Sequence, residues 1–309
     1  MSISVFTYQL FKQVNRVEQS VLSNLKNPFA PFDDALAAAM AANIRAALIE
    51  DIGSGDWTAM LLPESSHVKA LVVVREAAVL CGAPWFEAAM MKVNPRIQIE
   101  WHFAEGDLMS ANSTVCHIEG PARSLMTAER PSLNFLQLLS GVATVTRDYV
   151  SLIEGTKASI LDTRKTLPGL RLAQKYAVRV GGGENQRLAL YNGILIKENH
   201  IAAAGSIKAA MDAAHALNAG VSIQIEVEDI DELKQALDAG ATSILLDNFT
   251  NDMMRDAVAM TAGRAVLEAS GGVNRDSVRS IAETGVDRIS IGALTKDLRA
   301  TDYSLRVID

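Results

Sequence analysis

With 309 residues, 49% of them hydrophobic, the chain exceeds one minimal domain and suits either two domains or one barrel with an extension. Its net charge of −7 argues against the basic face that nucleic-acid binding demands, so any cationic site must be local. Cys81 and Cys116 lack CxxC or His-rich spacing, which points to reduced thiols in a cytoplasmic protein, and no apolar run reaches the roughly 18–20 residues of a membrane span.

Residues 1–27 lack a signal-peptide core, because Lys12, Arg16 and Glu18 interrupt them, and they read as an N-terminal helical arm. An Ala-rich helix is expected over 33–50, closed by a turn at Gly53 and Gly55. Residues 69–75 and 97–103 read as strands by their β-branched content, with a helix over 83–93 between them and a short strand at 115–118. Together these suggest a small α+β domain with nothing catalytic of its own. Residues 127–154 carry apolar side chains at helical spacing. Pro131 is expected in the first turn, which sets Glu129 and Arg130 near the helix N-terminus, where arginine has the wrong sign for the helix dipole. Arg130 is then either a solvated partner of Glu129 or an arginine retained for an anionic ligand.

From residue 159 the period changes. Apolar strand-like runs recur at 160–161, 194–196, 222–227, 243–246, 265–267 and 288–291, and more strand is expected around 178–190. Amphipathic segments at 207–217, 230–239, 252–261 and 275–284 alternate with them, and Gly220, Gly240, Gly263 and Gly285 stand at expected helix C-caps. Parallel βα units forming an incomplete barrel follow from this alternation. Functional residues of such a barrel lie at the strand C-termini. Those ends read Asp162-Thr163-Arg164-Lys165, Lys197-Glu198-Asn199-His200, Glu226 and Glu228, Asp247-Asn248, Glu268 and Ser270, and Gly292. Arg164, Lys165, Arg187 and Lys197 therefore converge on one cationic mouth in an acidic protein. Ser270-Gly271-Gly272 and Gly292 are glycine-rich late loops, whose bare amides suit phosphate.

The segments ERPSLNFLQLLSGV at 129–142, LDTRKTLPGL at 161–170, 181–187, LIKENH at 195–200, IEVE at 225–228, LDN at 246–248, 268–271 and SIGALT at 290–295 resemble, in order, those of the quinolinate phosphoribosyltransferases. The resemblance implies an N-terminal open α/β sandwich with a seven-stranded incomplete βα barrel. It implies domains at 1–28 (arm), 29–155 (sandwich with a long linking helix), 156–295 (barrel) and 296–309 (return to the first domain). It also implies transfer of phosphoribosyl from phosphoribosyl pyrophosphate to quinolinate with decarboxylation, in a homodimer with shared active sites that needs Mg²⁺. Carried over to this sequence, Arg164, Arg187 and Lys197, with Arg130 from the neighbouring subunit, would bind quinolinate. Lys165 would lie near the pyrophosphate and ribose, Thr163 would bind substrate, Glu226 and Asp247 would lie on the ribose and metal side, and Ser270, Gly271 and Gly292 at the 5′-phosphate. His200 would either contact substrate or cap its loop, and Glu228 would point away. Lys165, Glu226 and Asp247 are the expected catalytic residues.

Two positions depart from the family pattern. Gln186 replaces a usual histidine; it donates a hydrogen bond but cannot become cationic, and it is expected to hold a quinolinate carboxylate. Pro131 replaces a small hydroxyl residue. Rival readings are a phosphoribosyltransferase for another pyridine or aromatic acid, a Schiff-base aldolase using Lys197, and a non-catalytic anion-binding dimer.

Overall fold

A computed structural model describes residues 34–308 of the chain, so the expected N-terminal arm lies outside the described residues. The contacts divide the chain into two compact units. The first ends at Thr144 and takes in Leu172–Val180 and the segment from Leu298; the second comprises Val145–Arg171 and Gly181–Asp297.

The first unit holds helix α1 (Asp34–Ile52), strands β1 (His67–Val74) and β2 (Ala78–Val79), and helix α2 (Ala83–Val93). Strands β3 (Gln98–Trp101), β4 (Leu108–Met109) and β5 (Thr114–Pro121) follow, and β12 (Tyr303–Val307) returns near the C-terminus. β12, β1, β5 and β3 form an antiparallel sheet in that order. Strand alternation puts Val72 and Val74 of β1 into a core with Phe86, Met90, Ile118, Leu125 and Leu136. Helix α3 (Ala122–Leu152) begins earlier than expected, so Pro131 is interior and Arg130 is not at the helix N-terminus. The proline was an unreliable start signal because residues ahead of it, Ala122, Leu125 and Ala128, are buried at helical spacing and extend the helix. The dipole argument for Arg130 therefore falls.

Helix α4 (Arg171–Val180) belongs to this unit from Leu172 onward. Its Tyr176 stacks on Trp85 with ring centroids 5.3 Å apart and donates to Glu105 Oε1 at 3.0 Å. The strand expected around 178–190 is thus helix as far as Val180. Beyond it only Glu184 pairs, as one parallel bridge to Leu161.

The second unit is a six-stranded parallel sheet rather than the seven strands expected. The strands are β6 (Ser159–Leu161), β7 (Gly193–Ile196), β8 (Ser222–Val227), β9 (Ser243–Asp247), β10 (Val266–Ser270) and β11 (Arg288–Ser290), in the order β6-β11-β10-β9-β8-β7. The place of a seventh strand is taken by the Glu184 bridge, because the glycines at 181–183 interrupt the chain there and Gly182 adopts φ 94°. The barrel is open. Helices α5 (Glu198–Ala204), α6 (Ile207–Ala216), α7 (Ile230–Asp238), α8 (Asn251–Thr261), α9 (Val278–Ala282) and α10 (Ala293–Lys296) alternate with the strands.

Register assigns the two faces of this sheet opposite chemistry. Ile194, Ile196, Ile223, Ile225, Ile244, Leu246, Leu267, Ala269 and Ile289 share the face that a helical layer covers. Lys197, Gln224, Glu226, Asp247, Glu268, Ser270 and Ser290 follow the other parity. A barrel interior this polar must satisfy its own hydrogen bonds, and how it does so defines the site.

Candidate active site

The strand ends assemble the site from β6 outward. Asp162 is fully buried; its Oδ1 accepts the Gln186 backbone N–H at 3.0 Å and its Oδ2 accepts from Asn185 Nδ2 at 2.6 Å. This first acid of the LDTRK run is therefore an anchor for the loop that carries Gln186 and Arg187. The next residue, Thr163, accepts the Lys165 N–H at its Oγ1 (3.1 Å), while Thr295 Oγ1 donates to the Lys165 carbonyl at 2.8 Å. The aliphatic part of Lys165 lies against Gly292, where a Cβ would sit 3.1 Å from Lys165 Cδ and 3.7 Å from Thr163 Oγ1. Gly292 is thus set by close approach, and the three residues form one corner.

The cations divide into paired and waiting ones. Arg164 is half-buried and its Nε is enclosed without a hydrogen-bond partner. A buried guanidinium nitrogen left this way costs free energy until an acceptor arrives. Arg187 donates Nη1–H to the Gly193 carbonyl at 3.2 Å. Burial, and then the neighbouring charge of Arg164, lower its pKa from the ordinary arginine value, while Glu226 opposes the shift. Two guanidinium groups near enough to feel each other call for an anion between them. Lys197 is already engaged, donating Nζ–H to both Glu226 oxygens at 2.8 and 2.6 Å. The lysine is 43% exposed and the carboxylate 9%, so this pair seals the acid rather than the base. His200 accepts the Lys197 backbone N–H at Nδ1 (3.0 Å), closing a capping box at the start of α5. Of its two expected roles, the structure gives His200 the cap.

On the opposite side of the polar face, Asp247 ends β9 and accepts from Asn248 Nδ2 at 2.8 Å. Asn248 is left-handed (φ 57°), and its N–H donates to the Ser270 carbonyl at 2.9 Å. Gly271 (φ 103°) lies directly under it: a Cβ there would collide with Asn248 Oδ1 and come within 2.9 Å of its backbone nitrogen. Gly272 is also left-handed, at φ 58°. This turn needs glycine twice over.

One sheet end therefore gathers Thr163, Arg164, Lys165, Gln186, Arg187, Lys197, Glu226, Asp247, Ser270, Gly271 and Gly292. Arg130 belongs to the first unit, is exposed, and has Glu129 Oε1 at 3.8 Å. Glu228 is exposed because β8 stops at Val227 and the chain has already left the sheet; alternation alone would have kept it on the face of Glu226, two residues earlier. Gln224 and Glu268 received no role from the sequence, yet they are buried at 7% and 1% exposure on the polar face. Gln224 lies two residues before Glu226, and Glu268 two before Ser270. That i, i+2 spacing was the available signal.

The chain matches the quinolinate phosphoribosyl transferase C-terminal domain over residues 142–306 and the N-terminal domain of the same family over 56–140. It is 39% identical over 260 residues to a probable nicotinate-nucleotide pyrophosphorylase (carboxylating) of Bacillus subtilis, covering 84% of this chain and 90% of that one. A chloroplastic nicotinate-nucleotide pyrophosphorylase (carboxylating) of Arabidopsis thaliana is 35% identical over 308 residues, covering 93% and 86%. In structure it is similar to the nicotinate-nucleotide pyrophosphorylase of Francisella tularensis, with a TM-score of 0.84 and 43% identity over 88% of this chain and 96% of the other. With the cationic strand ends and both domains matched in order, the chain belongs to the quinolinate phosphoribosyl transferase family.

Proposed function

We infer that the chain transfers phosphoribosyl from phosphoribosyl pyrophosphate to quinolinate with loss of CO₂, giving nicotinate mononucleotide and pyrophosphate for NAD biosynthesis. The observation that carries this reading is the pair Arg164 and Arg187, one with a desolvated unpartnered Nε, at the mouth of a polar sheet face. Quinolinate brings two adjacent carboxylates, and planar guanidinium groups suit carboxylates better than a point charge does. Lys197 offers a third cation once a substrate carboxylate competes with Glu226 for it.

The chemistry follows from these placements. The quinolinate ring nitrogen bonds to the ribose C1 as the C1–O bond to pyrophosphate breaks, and positive charge develops on the ribose. Glu226, released from Lys197, and Asp247 stabilise that charge. Lys165, beside Gly292, faces the departing pyrophosphate, and the Ser270-Gly271-Gly272 turn and Gly292 take the 5′-phosphate. The product ring is a pyridinium. Its positive nitrogen stabilises the carbanion left on the adjacent ring carbon when the 2-carboxylate departs as CO₂, and a proton then binds that carbon.

No group of three or more His, Cys, Asp or Glu side chains suited to a metal occurs among the described residues. Mg²⁺ keeps several waters and binds through one or two carboxylates plus substrate phosphates, which is the donor set that Glu226 and Asp247 leave room for. Bound there, it would neutralise pyrophosphate charge.

Turnover of quinolinate to nicotinate mononucleotide and CO₂ with Mg²⁺ and phosphoribosyl pyrophosphate tests the reading; turnover of nicotinate in place of quinolinate would overturn it. The protein acts as a cytoplasmic homodimer in this reading, in keeping with two buried free thiols. Arg130 then serves the neighbouring subunit's site. Mixing inactive Arg130→Ala chains with inactive Lys197→Ala chains, with subunit exchange verified, should restore activity, since a mixed dimer has one intact site. Absence of recovery would return Arg130 to its own chain.

A further inference from the structure

Gln186 occupies the position from which a substrate carboxylate was expected to be held, yet its amide is committed to the protein. Its Nε2 donates to Gln224 Oε1 at 2.7 Å, and its Oε1 accepts the Arg187 backbone N–H at 2.6 Å. Gln224, itself buried, donates from Nε2 to Glu268 Oε2 at 2.9 Å. Glu268 is 1% exposed; Gln186 and Ser290 also lie within its reach, although its Oε1 has no well-aligned hydrogen bond. The result is a directed line of side chains from β10 through β8 to the loop before β7. An amide donates and accepts at once, so two in succession transmit one fixed orientation from the buried carboxyl to the Arg187 peptide.

We propose that Gln224 and Glu268 are positioning residues which, through Gln186, fix the Arg187 backbone and so aim its guanidinium at a quinolinate carboxylate. Gln186 is the last link of the line and not itself a ligand to substrate. Arg187 is then held at both ends, by Gln186 at its peptide and by the Gly193 carbonyl at its Nη1. Asp162 fixes the Gln186 peptide in turn. Burial raises the pKa of Glu268, which favours the uncharged form that an enclosed oxygen without a well-aligned hydrogen bond requires. A neutral residue at 186 suits this role, since a cation there would repel Arg187.

The inference rests on quinolinate being the substrate, and wild-type turnover is the control: its absence would overturn the proposed function, whereas the variants address the line alone. In the full chain, Gln186→Met and Gln224→Leu should each raise the quinolinate KM about five- to tenfold and shift the phosphoribosyl pyrophosphate KM less than about twofold. The double variant should be no worse than the worse single one, because a line is broken only once. A wild-type quinolinate KM in Gln224→Leu, or additive single effects that make Gln186 an independent ligand, would overturn the proposal. Should Gln224→Leu fail to fold, Gln224→Glu alone places two carboxyls side by side, whereas Gln224→Glu with Glu268→Gln again pairs one amide with one carboxyl, the bond between 224 and 268 being reversed and the acceptor for Gln186 Nε2 kept. The paired variant should recover the quinolinate KM lost in Gln224→Glu, and failure to recover it counts against the line.

Discussion

Arg164 and Lys165 are neighbours in sequence with opposite fates. Arg164 turns its Nε into an enclosed space without a partner, whereas Lys165 lies along Gly292 with its peptide tied by Thr163 and Thr295. If Arg164 grips a carboxylate with its fork, Arg164→Lys keeps the charge and loses the geometry. Loss of one charge-assisted hydrogen bond is worth roughly 1.5–3 kcal/mol, so the quinolinate KM should rise about ten- to a hundredfold while the protein melts as before. Unchanged steady-state kinetics would make Arg164 an ordinary surface charge. At this scale the sequence disclosed the charged strand ends but not who pairs with whom. Asp162 looked like a site residue and is an anchor; Lys197 and Glu226 were given to different substrates and bind each other. Those facts depend on barrel curvature, which brings side chains of separate strands together and leaves no trace in local spacing.

At the scale of elements, alternation and glycine punctuation located the strands of the second unit to within a residue, except that β10 runs on to Ser270, three residues past its expected end at 267. The βα rhythm was clear because each strand is apolar on the helix-covered face and each expected cap glycine is left-handed, from Gly220 (φ 67°) to Gly285 (φ 91°). Short elements such as β2, β4 and β12 had no reading, and two longer stretches departed from expectation. Helix α3 begins nine residues ahead of its proline, and where strand was expected around 178–190 the chain is helix as far as Val180, then a turn and the single bridge at Glu184. In both places buried Ala, Tyr and Val fit either period, and tertiary packing decided. The turn after β10 allows a direct test of why an element ends as it does. Gly271→Ala introduces a Cβ against both the side chain and backbone of Asn248, at a φ that L residues avoid. The strain should displace the Asn248–Ser270 contact and raise the phosphoribosyl pyrophosphate KM about tenfold or more, given the roughly 1–3 kcal/mol typical of such strain. Wild-type affinity for that substrate in Gly271→Ala, measured by titration calorimetry, would remove the turn from the phosphate site.

Across the whole molecule, the acid with the most to say about stability is far from the chemistry in sequence. Glu105 is buried in the first unit, where its Oε1 accepts from the Gly82 N–H at 2.7 Å and from Tyr176, and its Oε2 from the Ala83 N–H at 3.2 Å. Burial raises its pKa from an ordinary 4.5 to about 7, although each of these hydrogen bonds pulls it down. Helix α4 contributes Tyr176, and the segments flanking α4 carry Lys165 on one side and Arg187 on the other. Between pH 4.5 and 7 the folded chain holds this proton and the unfolded chain does not, so the contribution is fully present below pH 4.5 and is lost as pH rises towards 7. At 1.36 kcal/mol per tenfold change in proton affinity, the swing from this group is about 3 kcal/mol. Glu105→Gln removes the titration while preserving shape. Its own stability offset, set by the acceptor it loses, is constant with pH, whereas its stability relative to wild type should climb by about 3 kcal/mol across that window. Urea unfolding of both proteins at intervals from pH 4.5 to 7.5 would measure it. Parallel stability curves would mean that Glu105 titrates near its ordinary value, and that the three hydrogen bonds outweigh burial.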